Sequence, residues 1–179
     1  MLSMMSKCLV LLASARPGGD TAALVQQVFA TTEHTLVSLL AAPLYPYTYA
    51  GRYPADDSFP VLIQQALSHG ILVVATPVYW YAMSGLLKTF FDRLTDLVTT
   101  HKSLGRQLRG KRLLLLASGT DAVLPPGFEE PFRRTAAYFG MTFGGSLYQS
   151  HRKPLTAAEW AAATQTFLAA LAPPRPDRA

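Results

Sequence analysis

Uninterrupted apolar runs that alternate with segments of helical period constrain the fold of this sequence most strongly. The clearest runs are ILVVAT at 71–76 and LLLLAS at 113–118. Neither run alternates polar with apolar residues, which indicates strands buried on both faces, as in a parallel sheet covered by helices on each side. Between these runs, apolar residues of the segment 86–98 recur three and four residues apart, as in a helix that packs on such a sheet. The sequence therefore predicts an α/β fold.

Five predicted strands alternate with five predicted helices along the chain. The strands cover 7–13, 35–39, 71–76, 112–118 and 141–148, and the helices cover 21–30, 58–68, 84–98, 131–139 and 156–171. Ser58 and Ser84 are predicted N-caps, and Thr156 with Glu159 forms a predicted capping box. We expect one domain over 1–172, followed by a flexible Pro-rich tail over 173–179.

The N-terminus has two interpretations. Lys7 precedes an apolar run, and Ala13-Ser14-Ala15 imitates the cleavage site of a signal peptide. The run is at the short end for a signal peptide, and a loop and a helix start follow it, so we favour a first strand. Since no apolar stretch is long enough to span a membrane, we expect a cytoplasmic protein that has no membrane partner.

The single cysteine and the scattered histidines narrow the chemistry. Cys8 lies inside the apolar run CLVLLA, so a disulfide framework and a cysteine-ligated metal within one chain are excluded, and a buried, inert thiol is expected. The four histidines are not spaced as metal ligands, and we nominate neither a metal site nor a catalytic acid or base. His151-Arg152-Lys153 follows the last strand, and contact with a nicotinamide-nucleotide phosphate is an alternative to a plain surface role.

The segment HKSLGRQLRGKR at 101–112 has five Lys or Arg residues and no acid. One interpretation is a solvated connection before a strand. Another is an electropositive rim that attracts phosphorylated ligands. Nucleic-acid binding is disfavoured, because no aromatic residues interleave these charges.

Ligands of open parallel sheets lie at the carboxyl ends of the strands, so the loops there are informative. The first loop, ASARPGGDTAAL at 13–24, leads directly into a helix, whose unpaired N–H groups and dipole suit a phosphate. The loop has neither the G-x-G-x-x-G pattern nor a P-loop, and strand 2 ends without an acid for a dinucleotide ribose. A monophosphate remains, the alternative being an ordinary turn in which Asp20 is the N-cap.

The loops after the third and fourth strands differ in character. TPVYWYAMSG at 76–85 offers aromatic side chains that can wall a flat conjugated ligand, the alternatives being a hydrophobic plug or a dimer contact. ASGTDAVLPPG at 117–127 offers small residues that bring backbone N–H groups close to a ligand. Together the three loops suit a ligand with a phosphate at one end and a planar ring at the other, and flavin mononucleotide (FMN) has that shape.

Over residues 7–148 the sequence resembles the flavodoxin-like NAD(P)H-dependent flavin reductases and quinone reductases, most specifically in ASARPGGDT and TPVYWYAMSGLLKTFFDR. It is most similar to the iron–sulfur flavoprotein branch, but the loop APLYPYTYAGRYPADD at 42–57 lacks the cysteine cluster of that branch. The resemblance implies a three-layer sandwich whose five-stranded parallel sheet has the order 2-1-3-4-5. It also implies FMN, NADPH or NADH as co-substrate, a small-molecule acceptor such as a flavin or quinone, and a homodimer or homotetramer.

Carried over to this sequence, the resemblance implies three groups of FMN-binding residues. They are Ser14, Arg16, Asp20, Thr21 and Ala22 around the phosphate, Pro77, Val78, Tyr79 and Trp80 along the ring, and Ser118, Gly119 and Thr120 at its other edge. The family often has Asn where Asp20 stands, and a carboxylate repels a phosphate unless it points away. Two alternatives to an enzyme are an electron carrier or sensor without turnover and a flavin-free interaction module. Carriers tend to be acidic, whereas this chain has a net charge of +5, which favours the reductase.

Overall fold

The computed structural model describes residues 8–172, and these residues form one sheet with helices on both faces. Five parallel strands run β1 Cys8–Leu12, β2 Thr35–Ser38, β3 Ile71–Tyr79, β5 Arg112–Gly119 and β6 Thr142–Ser150, in the spatial order β2-β1-β3-β5-β6. The order expected from the resemblance is therefore confirmed for the parallel strands. A sixth strand, β4 Ala82–Met83, pairs antiparallel with β3.

Six α-helices and two short 3₁₀ helices occur among the described residues. The α-helices are α1 Asp20–Val28, α2 Phe59–Ser68, α3 Gly85–Arg93, α4 Lys102–Arg106, α5 Glu130–Tyr138 and α6 Ala157–Ala169, and the 3₁₀ helices are Leu39–Ala41 and Leu94–Leu97. The predicted caps at Ser84 and Thr156 are confirmed: Ser84 accepts a hydrogen bond from the N–H of Leu87, and Thr156 forms a capping box with Glu159. Ser58 stands at the start of α2 but makes no side-chain cap bond. No helix among residues 8–172 is long and apolar enough to cross a membrane.

The two faces of the sheet bury separate apolar cores, which confirms the three-layer sandwich. Successive residues of β3 point to opposite faces, so Val74 joins one core and Val73 joins the other. Helices α2, α3 and α5 cover the first face, where Phe132 of α5 is fully buried. Helices α1 and α6 cover the second face with Leu24 and Phe167. Each such buried side chain contributes about 1.5–3 kcal/mol through removal of apolar surface from water.

Three elements differ from the sequence predictions. The predicted loop at 76–85 is largely a hairpin, because β3 continues to Tyr79 and pairs with β4. The helix predicted to reach residue 98 ends at Arg93, where the chain tightens into the 3₁₀ helix. The basic segment contains the unpredicted short helix α4. Lys7 of the first predicted strand and the tail 173–179 lie outside the described residues.

A buried cluster of charges around Arg93 holds the long segment between the first 3₁₀ helix and α2. The Arg93 guanidinium, 2% exposed, donates to both carboxylate oxygens of Asp57 at 3.0 and 2.8 Å and to Asp96 at 2.9 Å. It also stacks over the ring of Tyr53, 3.3 Å from the ring centroid. Burial acts to lower the pKa of Arg93, but the hydrogen bonds to Asp57 and Asp96 outweigh it and raise the pKa, so the side chain stays charged.

Candidate functional site

The three loops identified in the sequence meet at the carboxyl ends of β1, β3 and β5. The buried hydroxyls of Thr21 and Ser118, which lie 97 residues apart in the chain, are 2.7 Å from each other. The hydroxyl of Ser84, just after β4, donates to the carbonyl oxygen of Ala13 at 2.7 Å. These two bonds tie the first loop to the other two. The site is therefore assembled from all three loops, as the strand order requires.

The start of α1 presents backbone N–H groups without a side-chain cap. Gly19 is the N-cap, with φ −80° and ψ −177°, and no side chain bonds to the first turn. The alternative in which Asp20 is the N-cap is therefore wrong, because Asp20 is already the first helical residue. The uncapped N–H groups of the first turn, which include those of Thr21 and Ala22, suit an anion. The Ser14 hydroxyl, which is buried, accepts from the N–H of Arg16 at 3.3 Å and fixes the approach to the helix.

The carboxylate of Asp20 is held by two basic side chains. Arg16 Nη2 lies 3.1 Å from Asp20 Oδ2, and His151 Nε2 lies 3.7 Å from the same oxygen. The backbone N–H of His151 donates to the Gly119 carbonyl at 2.8 Å, which fixes the end of β6 beside the start of α1. The interaction of Arg16 and His151 with Asp20 reduces the repulsion that Asp20 would exert on a phosphate. The sequence offered either a plain surface role or contact with a nicotinamide nucleotide for His151, and no local pattern signals its contact with Asp20.

The aromatic segment forms a strained two-residue turn between β3 and β4. Trp80 and Tyr81 have φ values of +49° and +63°, the left-handed conformation that such hairpin turns usually give to Asn and Gly. Large L residues adopt it at a cost of about 1–3 kcal/mol each, and such strain clusters at functional positions. Trp80 is 93% exposed, Tyr81 71% and Tyr79 48%. The turn therefore does not plug the core of this chain, and the plug alternative is wrong.

The loop after β5 approaches β3 closely because of a glycine. A Cβ atom on Gly119 would lie 2.9 Å from the Tyr148 hydroxyl and 3.2 Å from Val78 Cβ, so a larger residue would displace one of these side chains. Tyr148 donates to the Asp121 carbonyl at 2.9 Å and packs beneath this loop, and burial raises the pKa of its phenol. No pattern in the sequence marks Tyr148 as part of the site. At Gly119 the small-residue loop therefore lies within van der Waals distance of Val78 in β3.

The twelve predicted site residues differ in burial. Ser14, Thr21, Ala22, Pro77 and Ser118 are buried, Val78 and Gly119 are partly buried, and Arg16, Asp20, Tyr79, Trp80 and Thr120 are exposed. The buried members form the framework of the site, and the exposed members lie at its solvent side.

The basic segment 101–112 lies at the opposite edge of the sheet, before β5 begins. Lys111 Nζ donates to the carbonyls of Leu67 and His69 at 2.8 and 2.7 Å, and burial lowers the pKa of Lys111. Arg112 Nη1 donates to the Ala170 carbonyl at 2.6 Å. Both side chains stabilise helix ends. The segment lies at the other end of β5 from the site described above, so it does not border that site.

Within residues 8–172 no group of three or more His, Cys, Asp or Glu side chains is arranged to hold a metal ion. The Cys8 thiol is buried in β1, and burial raises its pKa to about 12. The thiol is therefore protonated at neutral pH, in agreement with the inert role expected from the sequence.

A doubly covered parallel sheet in the order β2-β1-β3-β5-β6, with an uncapped helix start at the carboxyl ends of its strands, defines a flavodoxin-like α/β protein. The sequence model of the family described as NADPH-dependent FMN reductase matches residues 6–146, and the chain belongs to that family. It is an NAD(P)H-dependent oxidoreductase with FMN as cofactor and NADPH or NADH as co-substrate.

Similar proteins share either the description of the family or the fold. The putative NAD(P)H-dependent FMN-containing oxidoreductase YwqN of Bacillus subtilis (strain 168) is 27% identical over 157 residues, which cover 83% of this chain and 87% of that protein. The solved structure of Trp repressor binding protein from Bacillus subtilis has a TM-score of 0.69 at 25% identity and covers 90% of this chain and 98% of that one. General stress protein 14 from Treponema denticola, solved in complex with FMN, has a TM-score of 0.60 at 21% identity, covers 92% and 97% of the two chains, and shows the fold.

Proposed function

We propose that this protein holds FMN across the three loops and uses it to pass electrons from NADPH or NADH to a quinone or a free flavin. One observation carries the proposal: the 2.7 Å bond between Thr21 and Ser118 joins the anion-suited helix start to the loop after β5. The aromatic end of β3 lies between these two loops, because β3 lies between β1 and β5 in the sheet. A ligand with a phosphate at one end and a ring at the other spans that arrangement.

The phosphate end is proposed at the start of α1. The first-turn N–H groups, including those of Thr21 and Ala22, donate to phosphate oxygens, and Arg16 adds a charge-assisted hydrogen bond. Asp20 does not contact the phosphate but orients Arg16, to which it is bonded at 3.1 Å. The imidazole of His151 lies on the other side of Asp20, with Nε2 3.7 Å from Asp20 Oδ2. Ser14 acts through the backbone of Arg16 and orders the loop.

The ring end is proposed along Pro77, Val78, Tyr79 and Trp80, with Ser118, Gly119 and Thr120 at the opposite edge. Backbone N–H groups of these loops suit the polar edge of a conjugated ring and stabilise the negative charge that it gains on reduction. Gly119 and Val78 are in contact and form one continuous surface at the ends of β3 and β5, on which a flat ring can rest. Trp80, 93% exposed, is free to cover the solvent face of such a ring.

FMN supplies the redox chemistry, since its ring accepts a hydride equivalent from a nicotinamide and releases electrons to an acceptor. The protein residues bind, orient and shield the ring, and none is assigned as an acid or base. The single open face beside Trp80 accommodates one flat partner at a time. We therefore propose alternating occupancy by nicotinamide and acceptor, which gives ping-pong kinetics.

Rapid mixing with each nicotinamide nucleotide tests this function. The purified holoprotein is mixed anaerobically with NADPH and, separately, with NADH, and the visible absorption band of oxidised flavin is followed. Bleaching within seconds and its recovery on addition of a quinone are expected. A flavin that stays oxidised with both nucleotides but is bleached by dithionite would instead identify an electron carrier or a sensor. A protein purified without FMN that fails to take it up would refute the flavoprotein proposal as well.

A homodimer or homotetramer in the cytoplasm is also proposed. The exposure of Tyr79, Trp80 and Tyr81 beside the site supports a contact between subunits there, because exposed aromatic clusters are enriched at protein interfaces. Light scattering of the holoprotein after size-exclusion chromatography measures the mass in solution. A monomer at all concentrations would contradict the oligomer. A cytoplasmic location agrees with the supply of nicotinamide nucleotides there, and fractionation of the source cells tests it.

A further inference from the structure

The cations of the basic segment 101–112 take no part in the proposed flavin site. Of its five cations, Lys111 and Arg112 bond to helix-end carbonyls. The other three, Lys102, Arg106 and Arg109, line a surface groove at the amino-terminal edge of the sheet. β5 has eight residues, and at about 3.3 Å each it places this edge roughly 25 Å from the flavin edge. The groove is thus separate from the site of electron transfer.

The groove consists of two adjoining clefts between α4 with its preceding 3₁₀ helix and the end of α5. Their volumes are about 300 and 350 Å³, and both are lined by Val98, Tyr138 and Phe139. The ring of Tyr138, although 73% exposed, is packed edge-on against Phe139, with 5.5 Å between the ring centroids. Leu97 extends the apolar floor beneath the cations. The two clefts are open to solvent and share a partly apolar wall, and the volume of each is at the lower end for small-ligand sites.

Of the three cations, Arg109 packs against the backbone at Gly140, whereas Lys102 and Arg106 are exposed on α4. Arg109 lies along Gly140, where an added Cβ would be 3.3 Å from Arg109 Cγ and 3.7 Å from its guanidinium carbon. Gly105, between the cations of α4, packs too closely on the Leu97 carbonyl for any Cβ to fit. Within residues 8–172 no carboxylate lies at ion-pairing distance from Lys102, Arg106 or Arg109. Three positive charges thus line one cleft without a carboxylate partner in the described part of the chain.

We propose that this groove binds a small amphipathic anion, a molecule with an aromatic or cyclic apolar body and a carboxylate or sulfonate at one end. The apolar body packs on Tyr138, Phe139 and Val98, and the anionic group bonds to Arg106 and Arg109. Burial of the ring excludes water from the charge-assisted hydrogen bonds and strengthens them. Neither part suffices alone, since exposed cations bind simple anions weakly and an open apolar floor holds neutral rings weakly.

The shape of the groove favours a small molecule over a protein segment. The cations lie along the cleft of about 350 Å³ and the aromatic pair forms its shared wall, so one ligand of modest size reaches both. A stable protein interface buries about 800 Å² per partner, which is far larger than the area of these clefts.

Isothermal titration calorimetry of the FMN-saturated full-length protein with naphthalene-2-sulfonate tests the proposal. Binding at low ionic strength is expected to weaken markedly at high NaCl concentration, because the cations are partly screened. The double variant Arg106→Gln/Arg109→Gln should weaken binding about tenfold, and Tyr138→Ala about fivefold. The neutral isostere naphthalene-2-sulfonamide should bind the wild-type protein at least about tenfold more weakly.

Matched controls make the outcome decisive. Lys88→Gln removes an exposed cation from α3 that pairs with Asp92 at 2.6 Å, and it should leave the affinity unchanged. Amide chemical shifts in two-dimensional NMR should move at 97–109 and 138–139. No binding by the wild-type protein, equal affinity of the double variant, or shift changes confined to 14–21 and 76–81 would each overturn the proposal. The flavin absorbance of each variant verifies that it is folded and that the flavin site is filled.

Discussion

Because Trp80 has a left-handed backbone conformation, glycine at this position should give a more stable protein than alanine, which is the reverse of the usual effect of glycine. Trp80→Ala and Trp80→Gly both remove an exposed ring, so they lose the same small amount of packing. Alanine keeps a Cβ at φ +49°, whereas glycine adopts that conformation without strain. The two variants therefore differ only in the backbone cost at this position.

The magnitude follows from the backbone conformation. A left-handed L residue costs about 1–2 kcal/mol, which glycine relieves. Glycine gives back about 0.5–1 kcal/mol because its unfolded state has more conformational entropy. We expect Trp80→Gly to exceed Trp80→Ala by roughly 0.5–1 kcal/mol in the free energy of unfolding. At about 2–4 °C per kcal/mol for a chain of 179 residues, Tm should differ by roughly 1–4 °C.

Urea unfolding of the FMN-free variants, followed by far-ultraviolet circular dichroism, measures this difference. Both variants should retain FMN through the phosphate loop and show similarly altered acceptor kinetics, because both lack the ring. If Trp80→Gly is no more stable than Trp80→Ala, the turn is not strained in solution. If acceptor kinetics stay those of the wild type in both, Trp80 does not border the open face of the flavin.

Arg16→Ala should weaken the binding of FMN about tenfold, which is near the lower end for loss of a charge-assisted hydrogen bond because the side chain is exposed. The affinity for riboflavin, which lacks the phosphate, should stay constant. Equal losses for both ligands in fluorescence titrations would place Arg16 away from the phosphate. Arg93→Met leaves Asp57 and Asp96 buried without their partner, so the free energy of unfolding should fall by about 3–5 kcal/mol and Tm by roughly 10 °C in calorimetry. The control Lys88→Met, at the exposed pair with Asp92, should change the free energy of unfolding by less than about 1 kcal/mol. If the two variants melt alike, the Arg93 cluster does not anchor the segment before α2. Cys8, with its pKa raised to about 12 by burial, should resist iodoacetamide in the folded protein at pH values well below that pKa and react only after denaturation; mass spectrometry that finds rapid alkylation of native protein would contradict its burial.

The sequence by itself determined the elements whose causes are local. Apolar runs such as ILVVAT fix strands, and the cap at Ser84 and the capping box at Thr156 fix helix starts, because each signal acts within a few residues. The position of the site also followed from the sequence, since the carboxyl ends of neighbouring parallel strands must meet at one edge. Which residues bind FMN remains a prediction, and the direct hydrogen bond between Thr21 and Ser118, which were assigned to opposite ends of the ligand, was not foreseen.

The tertiary structure alone decided the features that depend on residues distant in the chain. Three such features leave no periodic or capping pattern in the sequence. They are the contact of His151 with Asp20, the division of the basic segment between helix ends and an open groove, and the burial of Arg93 between Asp57 and Asp96. Even the turn at Trp80 and Tyr81 was missed, because local preference there favours Asn and Gly. Pairing of Val78 and Tyr79 with β4 overrides that preference, since the hydrogen bonds and packing of the hairpin offset a strain that the residues alone would avoid.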